Sequence, residues 1–458
     1  MNNKYSIIQK SQLEGAHRLD AEYFQPEYLS IERDLNSIET KQIGEITNSV
    51  VNFGAYSLCN YIKWANEGVP YLNVENIKEG YVDYEGVKLI DKKVNEILKK
   101  SKVKEGQVIL TMAGTIGNAA VARNVPRDIN SNQATAKITL KSGWSPYYIT
   151  AFLNSHYGKK QTEREIVSSV QPNIFLGQIK KFKVPAISLG DQKRIEEIFI
   201  QGLVMLEKSK SLYSQAENIL LEELGLKEFK GINALAYIVK HSEVRSAHRI
   251  DADYFQPKYE IIVSKMIAEH NAEKVKDIEY IKVTTGQYCE EYVAKEDGKP
   301  YIRGTDLSMG TVKEDDLYYI DPKRQDEARK AKEGDVVVTR VGSIGVSARL
   351  PKAVEGGTIS DNLIRMRFPE AKLDSYYVGL YFNTIGSQLM IRESRGSVQA
   401  RLNQETLKEI VLPILPKSTQ QKIADMVRRS HEARKKAKEL LEEAKRKVEE
   451  MIEVAAKK

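Results

Sequence analysis

The residues best suited to catalysis are few and scattered. The sequence has six histidines and two cysteines, Cys59 and Cys289, and it contains neither a phosphate-binding G-x-x-x-x-G-K-[ST] motif nor a zinc-binding H-E-x-x-H motif. His17 and His248 both stand in Ala-His-Arg, but neither has a cysteine or second histidine at metal-ligand spacing. We therefore expect hydrogen-bonded imidazoles and small packing thiols, no catalytic residue and no metal site.

Two short glycine loops could bind phosphate. Residues 114–117 read G-T-I-G and residues 342–345 read G-S-I-G, each after a β-type run. Backbone amides in such loops can form a concave anion site, although an ordinary tight turn has the same sequence signature. The candidate phosphate contacts are the loop hydroxyls and the arginine that follows each loop: Thr115, Ser343, Arg123 and Arg349.

Polar side chains that could read base edges cluster in several other short stretches. Asn and Gln suit adenine, Arg suits guanine, and Asp can accept a hydrogen bond from cytosine. The alternative for each single residue is a solvated surface position. In the first half of the chain the candidates are Asn73, Asn76, Asn130, Asn132, Gln133, Gln171 and Asn173. In the second half they are Arg303, Asp306, Arg340, Asp361, Asn362, Arg365, Arg392, Arg395, Gln399 and Arg401.

The chain is two copies of one unit. Residues 16–28, AHRLDAEYFQPEY, match residues 247–259, AHRIDADYFQPKY, at an offset of 231. The blocks KEGQVILTMAGTIG and KEGDVVVTRVGSIG, and then VQPNI and VQARL, follow in the same order at nearly the same offset. Between matching flanking blocks, the first copy has LNVENI where the second copy has IRGTDL. Such divergence is expected if two like scaffolds recognise different sequences.

The elements that must position these loops change along each copy. About 185 residues mix short β-type runs with turn signals, and a long heptad-like helix follows. Ser188 with Asp191, and Ser418 with Gln421, have the spacing of helix capping boxes. The first apolar seam is Ile195, Phe199, Leu203, Leu206, Tyr213, Ala216, Leu220 and Leu224. The second is Ile423, Val427, Ala437, Leu441, Ala444, Val448, Met451 and Ala455, with Ser430 and Arg434 at the remaining seam positions.

The ordered double set of blocks resembles the specificity (S) subunit of a Type I restriction–modification system over essentially the whole chain. The resemblance rests on R-[LI]-D-A-[ED]-Y-F-Q-P, the P-Y-[LI] block, the G-[TS]-I-G loop, S-V-Q-x-x-[IL], and the glutamine that opens each long helix, Gln192 or Gln420. One departure is DQKRI, where the family usually has Glu-Gln.

The resemblance implies a mixed α+β fold with an internal pseudo-twofold repeat: two α/β target-recognition domains separated by two long antiparallel coiled-coil helices. The corresponding ranges are 1–187 and 229–415 for the domains, and 188–228 and 416–458 for the helices. Each domain would read half of a bipartite asymmetric site on double-stranded DNA. The subunit itself would be non-catalytic and without cofactor. Two methylation subunits would supply S-adenosylmethionine chemistry, and restriction subunits would use ATP and magnesium.

Composition agrees with this reading. The 458 residues carry a net charge of +7, which permits a polyanionic partner. The sequence has neither an apolar run long enough for a membrane span nor a signal peptide, so we expect a cytoplasmic protein. Two alternatives stay open: the specificity subunit of a Type II-like system with a fused methylase-nuclease partner, and a coiled-coil scaffold that binds protein rather than DNA.

Overall fold

The computed structural model describes residues 6–16, 18–54, 56–166, 172–229, 235–308, 310–315, 317–395 and 400–457. Its contacts divide the chain into two compact units. Unit 1 contains the chain up to Leu206 together with the segment from Lys435 onward, and unit 2 contains the residues from Glu207 to Arg434. Both boundaries fall within long helices, so each unit is completed by a portion of each.

Unit 1 combines short helices with short strands. Its helices are α1 (Lys10–Ala16), α2 (Pro26–Asn36), α3 (Ile43–Ile46), α4 (Lys92–Ile97), α5 (Pro146–Asn154), α6 (His156–Glu165), α7 (Leu176–Ile179) and the first part of α8 (Leu189–Glu223). Its strands are β1 (Thr40–Gln42), β2 (Thr47–Val51), β3 (Trp64–Ala65), β4 (Val69–Leu72), β5 (Gly80–Tyr81), β6 (Lys88–Ile90), β7 (Val108–Thr111), β8 (Ala119–Val121), β9 (Asn130–Ser131), β10 (Thr135–Leu140) and β11 (Lys183–Pro185).

Unit 2 repeats this layout. Its helices are α9 (His241–Ala247), α10 (Pro257–Glu269), α11 (Ser375–Asn383), α12 (Ile385–Glu393), α13 (Gln404–Lys408) and the first part of α14 (Lys417–Ala456). Its strands are β12 (Ala272–Lys274), β13 (Lys282–Thr285), β14 (Lys299–Ile302), β15 (Leu307–Ser308), β16 (Thr311–Val312), β17 (Tyr318–Ile320), β18 (Val336–Thr339), β19 (Ser347–Arg349), β20 (Thr358–Ile359), β21 (Leu363–Arg367) and β22 (Val411–Pro413).

Corresponding sheets have the same strand order in both units. The order β2-β10-β7-β8 in unit 1 matches β13-β21-β18-β19 in unit 2, and β6-β4-β9 matches β17-β14-β20. A parallel strand pair recurs at the same place in both units, β4 with β9 and β14 with β20, and unit 1 also pairs β5 with β8 in parallel. The structure therefore confirms the predicted α+β class and the internal repeat.

The central strands are apolar because they are covered on both faces. All four residues of β7 and all four of β18 are buried. Helices α5 and α11 pack against these sheets, and their tyrosines Tyr148 and Tyr377 each donate a 2.7 Å hydrogen bond to the carbonyl of a proline in the last strand of the unit. A capping side chain, Ser145 or Asp374, begins each of these helices.

The long helices bury the predicted seams. All eight predicted residues of the α8 seam are buried, as are Ile423, Val427, Ala437, Ala444 and Val448 of α14. Ala455 is exposed and Ile452 is buried instead, so the prediction that Ala455 ends the second seam was wrong. In unit 1 a Cβ on Gly202 would lie 3.1 Å from Leu441, and in unit 2 the Ser209 and Ser430 hydroxyls are 3.1 Å apart. The α14 partner has a lower residue number where the α8 residue has a higher one, so the two helices are antiparallel.

The structure supports one half of the first predicted capping box and contradicts the second. Ser188 Oγ accepts the Asp191 amide at 3.1 Å at the start of α8. Helix α14 begins at Lys417, before Ser418, so the Ser418–Gln421 box was wrong. The helix-opening glutamines are buried instead: Gln192 accepts the Ser145 amide and Gln420 accepts the Asp374 amide, both at 2.9 Å. These glutamines attach each long helix to its own unit.

Candidate nucleic-acid interface

Four loops of unit 1 meet at one edge of its sheets. We name residues 73–76, 112–117, 132–134 and 172–175 the polar loop cluster of unit 1. The parallel pairing of β4 with β9 joins the first and third loops, because the Asn132 amide donates to the Leu72 carbonyl at 2.9 Å. Met112 donates to Ala134 at 2.7 Å, and Ile174 donates to Met112 at 3.0 Å.

Unit 2 builds the same cluster from residues 303–306, 340–345, 360–362 and 400–403. The Ser360 amide donates to Ile302 at 2.8 Å, Arg340 donates to Asn362 at 3.0 Å, and Leu402 donates to Arg340 at 2.9 Å. These three bonds occupy the positions of the three in unit 1. The backbone frame is therefore duplicated, while the side chains on it differ.

A threonine at the end of a strand holds each G-[TS]-I-G loop. Thr111 Oγ1 donates to the Thr115 carbonyl at 2.5 Å, and Thr339 Oγ1 donates to the Ser343 carbonyl at 2.6 Å. The hydroxyl also accepts the amide of the residue that leaves the loop, Asn118 or Val346. Thr115 and Ser343 are exposed as a result. The sequence prediction missed these threonines, although both occupy the same position in the aligned blocks.

The loop glycines have a backbone conformation that disfavours other residues. Gly114 and Gly342 have φ of +73° and +77°. A Cβ on Gly345 would lie 2.4 Å from Ser387 Oγ, so this loop also has no room for a side chain. The Gly117 amide bonds to Thr111 and the Ile344 amide bonds to Gly342, so these two amides are not part of an anion site.

Several predicted DNA-contacting side chains, both base readers and the two loop hydroxyls, lie exposed in the clusters. The exposed ones are Thr115, Gln133, Ser343, Asn362 and Arg401, and the half-buried ones are Asn73, Asn76, Asn132, Asn173 and Asp361. Gln171 and Gln399 lie outside the described residues. Asn132 Oδ1 is buried and has no hydrogen-bond partner. Phe175, missed by the sequence prediction, is 57% exposed in the fourth loop of unit 1, where an aromatic ring could contact a thymine methyl group.

Other predicted readers serve the fold. Arg303 donates to both carboxylate oxygens of Asp306 at 3.1 and 2.8 Å and lies 3.7 Å from the Tyr318 ring centroid. The Asp306 hydrogen bond raises the pKa of the Arg303 guanidinium. In unit 1 Asn76 Oδ1 accepts the Asn73 amide at 2.9 Å. These pairs shape the first loop of each cluster.

Further predicted readers are buried or half-buried and bonded within the protein. Asn130 is fully buried and donates to Asn95 and to the Leu98 carbonyl, and Arg365 is 1% exposed. Arg340 is half-buried and donates to the Leu402 and Asp361 carbonyls at 3.3 and 3.4 Å. Base contact by Asn130 or Arg365 is therefore excluded in this conformation.

The structure separates the two predicted phosphate arginines from the glycine loops. Strand β8 returns antiparallel to β7, and β19 returns antiparallel to β18, so Arg123 and Arg349 lie at the far end of each hairpin. Arg349 also donates to Ser375 Oγ at 2.9 Å and lies 4.1 Å from the Tyr376 ring centroid. The prediction that each glycine loop and the arginine after it form one phosphate contact was therefore wrong.

Of the remaining candidates, His17 lies outside the described residues and His248 is exposed. Within the part of the chain that the structure describes, no group of three or more His, Cys, Asp or Glu side chains could hold a metal ion. No helix among the described residues is both long and apolar enough to cross a membrane.

Comparison with known proteins identifies the family. The family described as "Type I restriction modification DNA specificity domain" matches residues 36–209 and again residues 257–445. The two matches together cover well over half of the chain, and each includes one polar loop cluster. The chain therefore belongs to this family and carries its domain twice.

Individual proteins that resemble this chain have low sequence identity to it. The Type I restriction enzyme EcoBI specificity subunit of Escherichia coli is 23% identical over 172 residues, 36% of this chain and 35% of that protein, so the match spans about a third of the relative's length. The S subunit of the Type I restriction–modification system of M. genitalium is 12% identical, with 92% and 95% of the two chains covered and a TM-score of 0.42. The HsdS subunit of Thermoanaerobacter tengcongensis is also 12% identical, with 91% and 96% covered and a TM-score of 0.28.

Proposed function

We propose that this protein is the DNA sequence-recognition subunit of a restriction–modification complex. The observation that carries the proposal is the duplicated polar loop cluster, in which one backbone frame presents Thr115 and Gln133 in unit 1 but Ser343, Asn362 and Arg401 in unit 2. Two like frames with different exposed polar side chains suit a bipartite, asymmetric DNA site.

In this proposal each unit reads one half-site on double-stranded DNA, and the long helices set the spacing and dock two methylation subunits. Restriction subunits join in the full complex. S-adenosylmethionine, ATP and magnesium belong to those partners, and the subunit itself is a non-catalytic cytoplasmic protein. The Type II-like arrangement and the protein-binding scaffold gain no support from the family match.

The test is selection of bound sequences from a library of random duplex DNA by the full chain. We expect two short specified blocks separated by an unspecified spacer. Gln133→Ala should relax the preference in one block only and Asn362→Ala in the other only, each by about 1–3 kcal/mol. Gln201→Ala and Gln421→Ala, at exposed positions on the long helices, are the matched controls and should change neither block.

Salt dependence separates DNA recognition from a protein scaffold. Binding through several phosphates makes the logarithm of affinity fall linearly with the logarithm of salt concentration. A slope of several ions with a selected bipartite sequence supports the proposal. Selection of no sequence at all, at any salt concentration, contradicts it.

A further inference from the structure

The most nearly identical block of the two copies, residues 16–28 and 247–259, contributes no residue to either polar loop cluster. In unit 1 its arginine, Arg18, donates to the two carboxylate oxygens of Asp20 at 2.8 and 2.5 Å and lies 4.6 Å from the Tyr23 ring centroid. In unit 2 Arg249 donates to Asp251 at 2.8 and 2.6 Å and lies 4.4 Å from the Tyr254 ring centroid. The same two-pronged ion pair beside the same tyrosine is thus built twice.

A second arginine lies over each of these rings. Arg164, at the end of α6, is 4.1 Å from the Tyr23 centroid, and its Nε donates to the Tyr23 carbonyl at 3.0 Å. Arg392, at the end of α12, is 4.5 Å from the Tyr254 centroid and donates to the Tyr254 carbonyl at 3.0 Å. Cation–π attraction and a backbone hydrogen bond therefore attach the shared block to a helix end in both units.

The attachment is made where the helix has unsatisfied carbonyl groups. Arg249 donates to the carbonyls of Arg392, Glu393 and Ser394 at 3.3, 3.4 and 3.1 Å. The last carbonyls of a helix have no amide partner within the helix, so this guanidinium caps α12. In unit 1 the Tyr23 hydroxyl is 3.2 Å from Glu165, the last residue of α6, and Gln178 donates to the Glu165 carbonyl at 2.8 Å.

In the chain these helix ends come shortly before the fourth loop of each cluster. Arg395 follows the capped carbonyls and exchanges backbone hydrogen bonds of 2.8 and 2.9 Å with Arg401, which also bridges to Val341 in the glycine loop. In unit 1 Asn173, in the fourth loop, bridges to Ala113. In unit 2 backbone hydrogen bonds therefore join the residue after the capped helix end to the fourth loop.

We propose that Arg18 and Arg249 are positioning residues for DNA reading, each acting on the half-site of its own unit. The inference rests on the proposed function, and it assigns the shared block to the geometry of the fourth loop rather than to DNA contact. Each guanidinium group points to its carboxylate and its tyrosine ring within the protein, and that of Arg249 also points to three backbone carbonyls. We infer that they act through the end of α6 or α12.

The experiment repeats the random-duplex selection with the full chain carrying Arg18→Ala or Arg249→Ala. We expect a loss of base discrimination of roughly tenfold, the size of a single mismatch, in one block for Arg18→Ala and in the other block for Arg249→Ala. Lysine keeps the charge but not the two-pronged pair, so Arg18→Lys and Arg249→Lys should give intermediate losses. Arg33→Ala and Arg245→Ala, at exposed arginines near each block, are the matched controls.

Two further measurements distinguish positioning from other roles. The salt slope should stay unchanged, since a lost phosphate contact would lower it by about one ion. Melting temperature should stay unchanged in the lysine variants, which decide the question if the alanine variants do not fold. Unaltered discrimination, equal loss in both blocks, or a reduced salt slope would overturn the inference. If the unmodified chain selects no sequence, the proposed function fails instead.

Discussion

Units 1 and 2 bury a cation at the same position of the same strand but surround it differently. Lys137 of β10 is fully buried, and its Nζ donates to Ser131 Oγ at 2.9 Å. Arg365 of β21 is 1% exposed and donates to the Lys330 and Ala328 carbonyls at 2.5 and 3.0 Å. Both cations lie on the strand that follows the third loop of their cluster.

The neighbouring positions account for the difference. Unit 2 has Asp335, whose carboxylate accepts two hydrogen bonds from Arg367 at 2.6 and 2.7 Å and lies 3.8 Å from Arg365. Unit 1 has Gln107 and Thr139 at the equivalent positions, joined by a neutral 3.0 Å hydrogen bond. A buried charge needs compensation, and at these two positions unit 2 has a carboxylate where unit 1 has a neutral amide.

The protonation equilibria follow from these surroundings. Burial lowers the pKa of the Lys137 ammonium to about 7. Burial also lowers the pKa of Arg365, although Asp335 opposes that shift, and an arginine stays charged at any ordinary pH. One scaffold thus tolerates a cation either by pairing it or by letting it lose its proton.

The largest expected effect comes from removing the compensation. Asp335→Ala leaves Arg365 and Arg367 without their carboxylate, and we expect a loss of about 3–5 kcal/mol in the free energy of unfolding of unit 2. Gln107→Ala, the matched change in unit 1, removes only neutral hydrogen bonds and should cost about 1–3 kcal/mol. Hydrogen exchange in β18 and β21 against β7 and β10 measures the two losses separately. Equal losses in the two units would contradict the claim that the Asp335 carboxylate compensates a buried charge.

A smaller effect depends on pH. The folded pKa of Lys137, about 7, lies below the unfolded value of about 10.4, so between these values the unfolded chain binds more protons and stability rises with pH. We expect this group to add about 2 kcal/mol between pH 7 and pH 9. Lys137→Met should abolish that rise in calorimetric melting curves, whereas Arg365→Met should destabilise equally at both pH values. A rise that persists in Lys137→Met contradicts the assignment.

The smallest difference between the units is expected at the glutamines that attach the long helices. Gln192→Leu and Gln420→Leu remove the buried amides that attach the long helices, and each change should cost about 1–3 kcal/mol because backbone partners are left unsatisfied. Gln420 Nε2 donates to the Leu415 carbonyl at 2.8 Å, whereas Gln192 Nε2 donates to Ile187 at 3.3 Å. Thermal unfolding of the two variants should therefore show a somewhat larger loss for Gln420→Leu. The reverse order would show that the shorter bond does not determine the stability.

The repeat and the apolar seams were predictable because they depend on local patterns. Ten of the thirteen residues in the shared block are identical, and a buried helix face recurs every three or four residues. The convergence of the four loops was not predictable in the same way. It depends on which strands pair, and the parallel partners Leu72 and Ser131 are far apart in the chain.

The candidate site was predicted only in part, because residue type does not show whether a polar group is already bonded within the protein. Gln133 and Asn362 are exposed as expected, but Arg303 is hydrogen-bonded to Asp306 and packs on the Tyr318 ring. Arg365 was a candidate reader by its chemistry, yet its strand turns it into the core. Which face of a strand is buried follows from sheet packing that a single sequence does not specify.

The division of α8 and α14 between the units has a consequence for synthesis on the ribosome. The core that contains Ile195, Phe199 and Leu203 is completed by Ala444, Val448 and Ile452, which are translated after the whole of unit 2. At about 5–20 residues per second, the apolar strip on the first part of α8 waits on the order of 10–50 s for its partner. During that interval the apolar strip of α8 is exposed to chaperones and to non-native contacts. Unit 2, whose residues are all translated earlier, can complete its core first.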